Sequence, residues 1–170
     1  MKYCLNSLCF LFFAPVMAIG AEEVSQSVNM DFTVNIEPPV CKLNNANLSI
    51  DFDEFQLFDI LAGNVKKAAV FAFTDCTNVN SVTISFSGNN VDDNFIKNKS
   101  GDTYASGVAI RLYNNDNGNL IQLKDKQIIS INNAESFNFG VIAEVQKENN
   151  SAKVTPGNID TSVDLNITYN

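Results

Sequence analysis

Apolar and polar residues alternate in short runs along most of this chain, and that period of two restricts the fold more than any other feature. Val28, Met30, Phe32, Val34 and Ile36 form one run. Leu48, Ile50 and Phe52 form a second, Val82, Ile84 and Phe86 a third, and Val108, Ile110 and Leu112 a fourth. Phe137, Phe139, Val141, Ala143 and Val145 follow, and Val163, Leu165, Ile167 and Tyr169 end the sequence. Period two puts one face of a strand in a core and the other in water. Turn-forming clusters such as Gly88-Asn89-Asn90 and Pro156-Gly157-Asn158 bound the runs. Asn117-Gly118 is a two-residue hairpin signal between the runs ending at Leu112 and beginning at Leu120. Helical periodicity is confined to one or two turns within 54–62. So many short strands in roughly 150 residues imply an all-β sandwich with Greek-key links.

The first twenty residues have a different pattern. Lys2 gives a positive start, Tyr3 to Met17 is almost wholly apolar, and small residues lead to Glu22 and Glu23. This is the layout of a secretory signal peptide, with Ala18 and Gly20 at −3 and −1. A cut after Ala18, with Val16 at −3, is the alternative. The expected organisation is a signal at 1–20, an arm at 21–35 and one domain at 36–170. Cleavage removes Cys4 and Cys9 and leaves Cys41 and Cys76, 35 positions apart. Exported chains with two cysteines most often join them in a disulfide. Free thiols or a metal pair are the alternatives, and two lone cysteines without His or a CxxC spacing make a poor metal site.

The inventory for catalysis is thin. The chain has no His, no Trp and 11 Lys+Arg against 19 Asp+Glu, for a net charge of −8. That excludes imidazole-dependent mechanisms and gives no basic footprint for nucleic acid. Alternation places Asp51 and Asp53 on the solvent face opposite Phe52, beside Glu54, so the group reads as a hydrated edge. Asn114 to Gly118 superficially resembles a calcium loop. With Gly118 at position six, positions one and twelve would be Tyr113 and Lys124, and the pattern fails. Asn47, Asn98 and Asn166 open N-glycosylation sequons. No cofactor, no metal and no enzymatic activity are expected.

The two ends carry the most information. An alternating strand that reaches Asn170 needs neighbours on both sides or it is an open edge. The Val28–Ile36 run precedes Pro38-Pro39, which cannot donate to a central ladder. Such an arm pairs at home as an edge strand or with another chain.

In their order, these elements resemble subunits of chaperone–usher fimbriae of Gram-negative bacteria. The matching stretches are Ile36-Glu37-Pro38-Pro39-Val40-Cys41, Leu48-Ser49-Ile50-Asp51-Phe52, Phe71-Ala72-Phe73-Thr74-Asp75-Cys76 and Gly107 to Asn114. At the end stand Gly157, the alternating Val163/Leu165/Ile167 and the penultimate Tyr169. The paired prolines and the Ile-Thr-Tyr-Asn ending are most similar to minor tip-adaptor subunits of P-type pili.

The resemblance implies an incomplete immunoglobulin-like β-sandwich lacking its seventh strand. It also implies assembly by donor-strand exchange with a periplasmic chaperone, an outer-membrane usher and neighbouring subunits, a mode of β-strand addition. In that reading Val28, Met30, Phe32 and Val34 are the inserted side chains. Val163, Leu165, Ile167 and Tyr169 belong to the acceptor groove, Gly157 to the family's turn, and Asn170 meets basic residues of the chaperone. The expected product is a minor or adaptor subunit of a cell-surface fimbria that supports adhesion. Family arms usually carry a Gly among the inserted positions and this arm has none, so Phe32 calls for a roomier acceptor or a different register. The alternative is a secreted β-sandwich that itself binds a host receptor or glycan.

Overall fold

A computed structural model describes Val34 and residues 37–170. The expected signal at 1–20 and the donor positions Val28, Met30 and Phe32 lie outside the described residues. Val34 is described and exposed.

Among the described residues, eight strands and one short helix follow in order: β1 (Val40–Leu43), α1 (Leu57–Leu61), β2 (Lys66–Thr77), β3 (Ser81–Ser87), β4 (Ile96–Lys97), β5 (Val108–Asn114), β6 (Gln127–Ser130), β7 (Phe137–Lys147) and β8 (Asp164–Tyr169). They form two antiparallel sheets. The larger runs β1-β2-β7-β5-β4 and the smaller runs β6-β3-β8. The alternation explains the layers. On β7, Phe139, Val141, Ala143 and Val145 are buried; on β3, Val82, Ile84 and Phe86 are buried. These faces meet in one core whose fully buried side chains include Phe73, Ile84, Leu123, Val79, Val82 and Val145.

Register is set by paired side chains. Phe73 lies opposite Phe137 across β2 and β7, and their rings stack with centroids 4.3 Å apart. Such a pair adds about 1 kcal/mol beyond its buried area. The Cys41–Cys76 disulfide joins β1 to its neighbour β2.

Two sequence expectations differ in detail from the fold. The Leu48-Ile50-Phe52 run alternates as expected, with Ser49, Asp51 and Asp53 exposed, but it forms no strand. Its backbone has no ladder partner there: from Asn45 to Phe52 no backbone–backbone hydrogen bond is made among the described residues. The Asn117-Gly118 turn is wider than a two-residue loop. The Asn114 amide donates to the Asn119 carbonyl (2.8 Å), which encloses Asn115 to Gly118, and Gly118 supplies φ +71°. The short helical stretch expected in 54–62 is α1, which buries Ile60 and leaves Leu57, Phe58 and Leu61 exposed.

Candidate binding groove

Among the described residues, both edges that face one another across the open side of the sandwich lack a partner. There β8 pairs only with β3, and β1 only with β2. Ser81 and Asn170 exchange both backbone hydrogen bonds at 2.9 Å. In an antiparallel ladder bonded pairs alternate, so Thr168, Asn166 and Asp164 also turn their amide groups to β3. The backbone N–H and C=O groups of Leu165, Ile167 and Tyr169 therefore point to the unpaired edge. Their side chains are the half-buried ones of the strand.

Between these edges runs a groove of about 550 Å³. Val163, Leu165 and Ile167 form one wall; Leu43, Leu48, Ile50 and Phe52 form the other. The floor is the inner face of the larger sheet, with Phe71, Val141, Ala143, Leu112, Ile110 and Ile96. Its polar lining comes from Asn47, Ser49, Thr161, Ser162 and Asp164, and among the described residues no Lys or Arg lines it. An apolar trough flanked by open ladder edges can accept an extended chain, whose backbone completes the ladder while alternate side chains fill the trough.

Tyr169 stands at one end of the groove rather than in its lining. Its hydroxyl donates to the Cys41 carbonyl (3.2 Å), and burial pushes the phenol above its ordinary value of 10.0. This bond ties the end of β8 to the start of the opposite wall. Asn170 is held by β3: its carbonyl accepts the amides of Asn80 (2.7 Å) and Ser81 (2.9 Å).

The other end of the groove is built by residues the alternation does not single out. Asn98 Nδ2 donates to the carbonyls of Ala105 (2.8 Å) and Asn158 (2.9 Å), and its Oδ1 accepts the Asp160 amide (2.8 Å). Asn90 Nδ2 donates to Thr161 Oγ1 and to the Ser162 carbonyl. These two side chains pin the segment that feeds β8. Gly157 lies in that segment at φ +152°, where a Cβ would stand 2.4 Å from the Ala105 nitrogen and the Tyr104 carbonyl carbon. Only glycine allows the backbones to approach so closely. The sequence showed Asn98 as a sequon alone.

The acidic residues do not form a site. Asp51 and Asp53 are exposed, and Asp53 pairs with Lys67 at 2.7 Å. Among the described residues no cluster of three or more His, Cys, Asp or Glu could hold a metal ion.

Comparison with known proteins gives a consistent family. The model of the family described as "Fimbrial protein" matches residues 29–170. Fimbrial protein 987P of Escherichia coli is 32% identical over 120 residues, which cover 66% of this chain and 62% of that protein. The chain thus spans less than two thirds of this relative's length. Among solved structures, the P pilus rod subunit PapA matches with a TM-score of 0.63 at 19% identity, over 76% of this chain and 99% of that one. The P pilus adaptor subunit PapF matches with a TM-score of 0.55 at 17% identity, over 78% and 97%. A subunit of a chaperone–usher pilus matches with a TM-score of 0.64 at 19% identity, over 92% and 100%. The all-β, incomplete immunoglobulin-like fold is shared with these subunits. The chain belongs to the fimbrial protein family.

Proposed function

We propose that this fimbrial subunit is completed and polymerised by donor-strand exchange. One observation carries the reading: the groove is apolar within and flanked by backbone edges that have no partner among the described residues. A strand laid along β8 would meet the free N–H and C=O groups of Leu165, Ile167 and Tyr169. Four apolar side chains entering the groove would contribute about 6–12 kcal/mol before ordering costs. Val28, Met30, Phe32 and Val34 of residues 21–35 are the donor set, and residues 36–170 are the acceptor body.

Before assembly, a periplasmic chaperone fills the groove, with Asn170 at its anchoring end. The outer-membrane usher then exchanges the chaperone for another subunit's arm. Residues 1–20 direct export and are removed. The product is a cell-surface fimbria of a Gram-negative bacterium that supports adhesion. The minor or adaptor placement rests on Pro38-Pro39 and the Ile-Thr-Tyr-Asn ending.

The test is co-expression of the chain from Ala21 with a periplasmic chaperone, followed by addition of arm peptides. A chaperone-bound chain that takes up an alternating apolar peptide supports the reading. A soluble, stable monomer that binds neither chaperone nor peptide refutes it.

A further inference from the structure

Among the described residues, three asparagines make the same local bond. Asn114 Oδ1 accepts the Asp116 amide (2.8 Å), Asn117 Oδ1 accepts the Asn119 amide (2.9 Å), and Asn149 Oδ1 accepts the Ser151 amide (3.0 Å). In each, the side-chain carbonyl folds forward past the next residue to reach the amide two positions on. That fold turns the side-chain amide carbon toward the backbone nitrogen of the residue between. The N–H that holds Oδ1 is also a fixed donor for any negative charge that develops there. Nucleophile and carbonyl are therefore held together on one short stretch of chain, with a donor already aimed at the oxygen.

The three differ in the residue between. Asn115 follows Asn114 and Asn150 follows Asn149, whereas Gly118 follows Asn117. No other asparagine in the sequence precedes a glycine. A side chain on the following residue crowds its nitrogen and restricts its turning; glycine has none. Nothing lies within 4 Å of the point where a Cβ of Gly118 would stand. Asn117 and Gly118 are both exposed, so water reaches them. One bond opposes the approach: the Gly118 amide donates to the Asn114 carbonyl (2.8 Å). It lies in an exposed turn, where local opening is frequent. Asn90 and Asn98 are the contrary case, with side chains committed to several partners and followed by Val91 and Lys99.

We propose that Asn117 is a site of spontaneous covalent modification, where the chain converts its own side-chain amide to a carboxylate with water as co-reactant. The Gly118 amide gives up its proton, and the nitrogen lone pair attacks Asn117 Cγ. Negative charge collects on Oδ1 against the Asn119 N–H. The Cγ–Nδ2 bond then breaks, and ammonia leaves with the proton. The product is a cyclic succinimide in which the Gly118 nitrogen is bonded both to Cγ and to the Asn117 backbone carbonyl carbon. Water opens the ring. Breaking the bond to Cγ yields aspartate; breaking the bond to the backbone carbon yields isoaspartate, whose chain runs through the former side chain. In sum a water is consumed and an ammonia released, with no oxidant, metal or enzyme. The change adds a negative charge to a chain of net charge −8. Isoaspartate also lengthens the backbone inside the loop that the Asn114–Asn119 bond closes. The surface of this turn therefore records the age of the subunit. The inference goes beyond the donor-strand reading and does not depend on it.

The test incubates the chain from Ala21, with its groove filled, for weeks in mildly alkaline buffer. Peptide mass spectrometry follows every asparagine, and chromatography separates isoaspartate from aspartate. Asn117 should convert at least about 10-fold faster than Asn114 and Asn149, which share its side-chain bond but not its glycine. Both products should form at position 117. Gly118→Ala should slow the conversion by a similar factor. Because that variant also strains a φ of +71°, the comparison among the three asparagines of the native chain stands beside it and needs no variant. Conversion at Asn114 or Asn149 as fast as at Asn117 overturns the role of the glycine. An Asn117 that stays intact shows that the bond to Asn114 holds the nitrogen inert, and overturns the site. Aspartate without isoaspartate overturns the succinimide route.

Discussion

Gly157→Ala should be strongly destabilising although it adds only one methyl group. At φ +152° an L side chain is strained, which costs about 1–3 kcal/mol. The added Cβ would also stand 2.4 Å from two backbone atoms and 2.7 Å from the Tyr104 carbonyl oxygen. Ordinary contact begins near 3.4 Å, so the two segments must separate by about 1 Å. Two backbone hydrogen bonds span that junction: Ala105 donates to Asn158 and Asn158 to Thr103, each at 2.9 Å. Lengthened by that amount they are lost, at about 1 kcal/mol each. The expected total is about 3–5 kcal/mol. Urea denaturation of the chain with its groove filled measures it directly. Gly118→Ala is the control: Gly118 has φ +71° with nothing within 4 Å of its Cβ position, so only about 1 kcal/mol is expected. If the two variants lose equal stability, steric approach is not why position 157 is glycine.

Asn98→Ala removes three hydrogen bonds at the same end of the groove. A loss of about 2–3 kcal/mol in denaturation, together with faster release of a bound arm peptide, is expected. Tyr169 carries a pH dependence. Its phenol is raised by burial, so the stability tied to the neutral form is full below pH 10.0 and declines as pH rises through the folded-state value. Denaturation curves from pH 9 to 12 should show a steeper decline in the native chain than in Tyr169→Phe, which also loses the bond to Cys41; the remaining decline belongs to Lys67, Lys97 and Lys99, raised by their carboxylate partners.

Much of the fold was legible because period two is a strong signal wherever one sheet face is buried. β3, β5, β7 and β8 all follow runs read directly from the residues. Leu48-Ile50-Phe52 shows the limit of that signal. Alternation reports which side chains face inward, but a strand also needs a neighbouring backbone, and here there is none. β4 and β6 are two and four residues long, too short for periodicity to mark them. In the groove, Val163, Leu165 and Ile167 were legible from the same alternation. Asn90 and Asn98 were not, because most of their partners lie 60 or more positions away and are backbone carbonyls, amides and a hydroxyl with no sequence signature.

The Cys41–Cys76 link has a mechanical consequence. In a fibre built as proposed above, load would enter a subunit along its arm and reach Cys41 one residue into β1. The sulfur bridge passes such a load to Cys76, near the end of β2, and so on into β3, which is paired along its length to β8. The residues between the two cysteines, including the groove wall from Leu43 to Phe52 and most of β2, lie outside this covalent path. Pulling would therefore leave the wall intact, and a strand captured along β8 would be loaded in shear, its hydrogen bonds sharing the force rather than opening one by one.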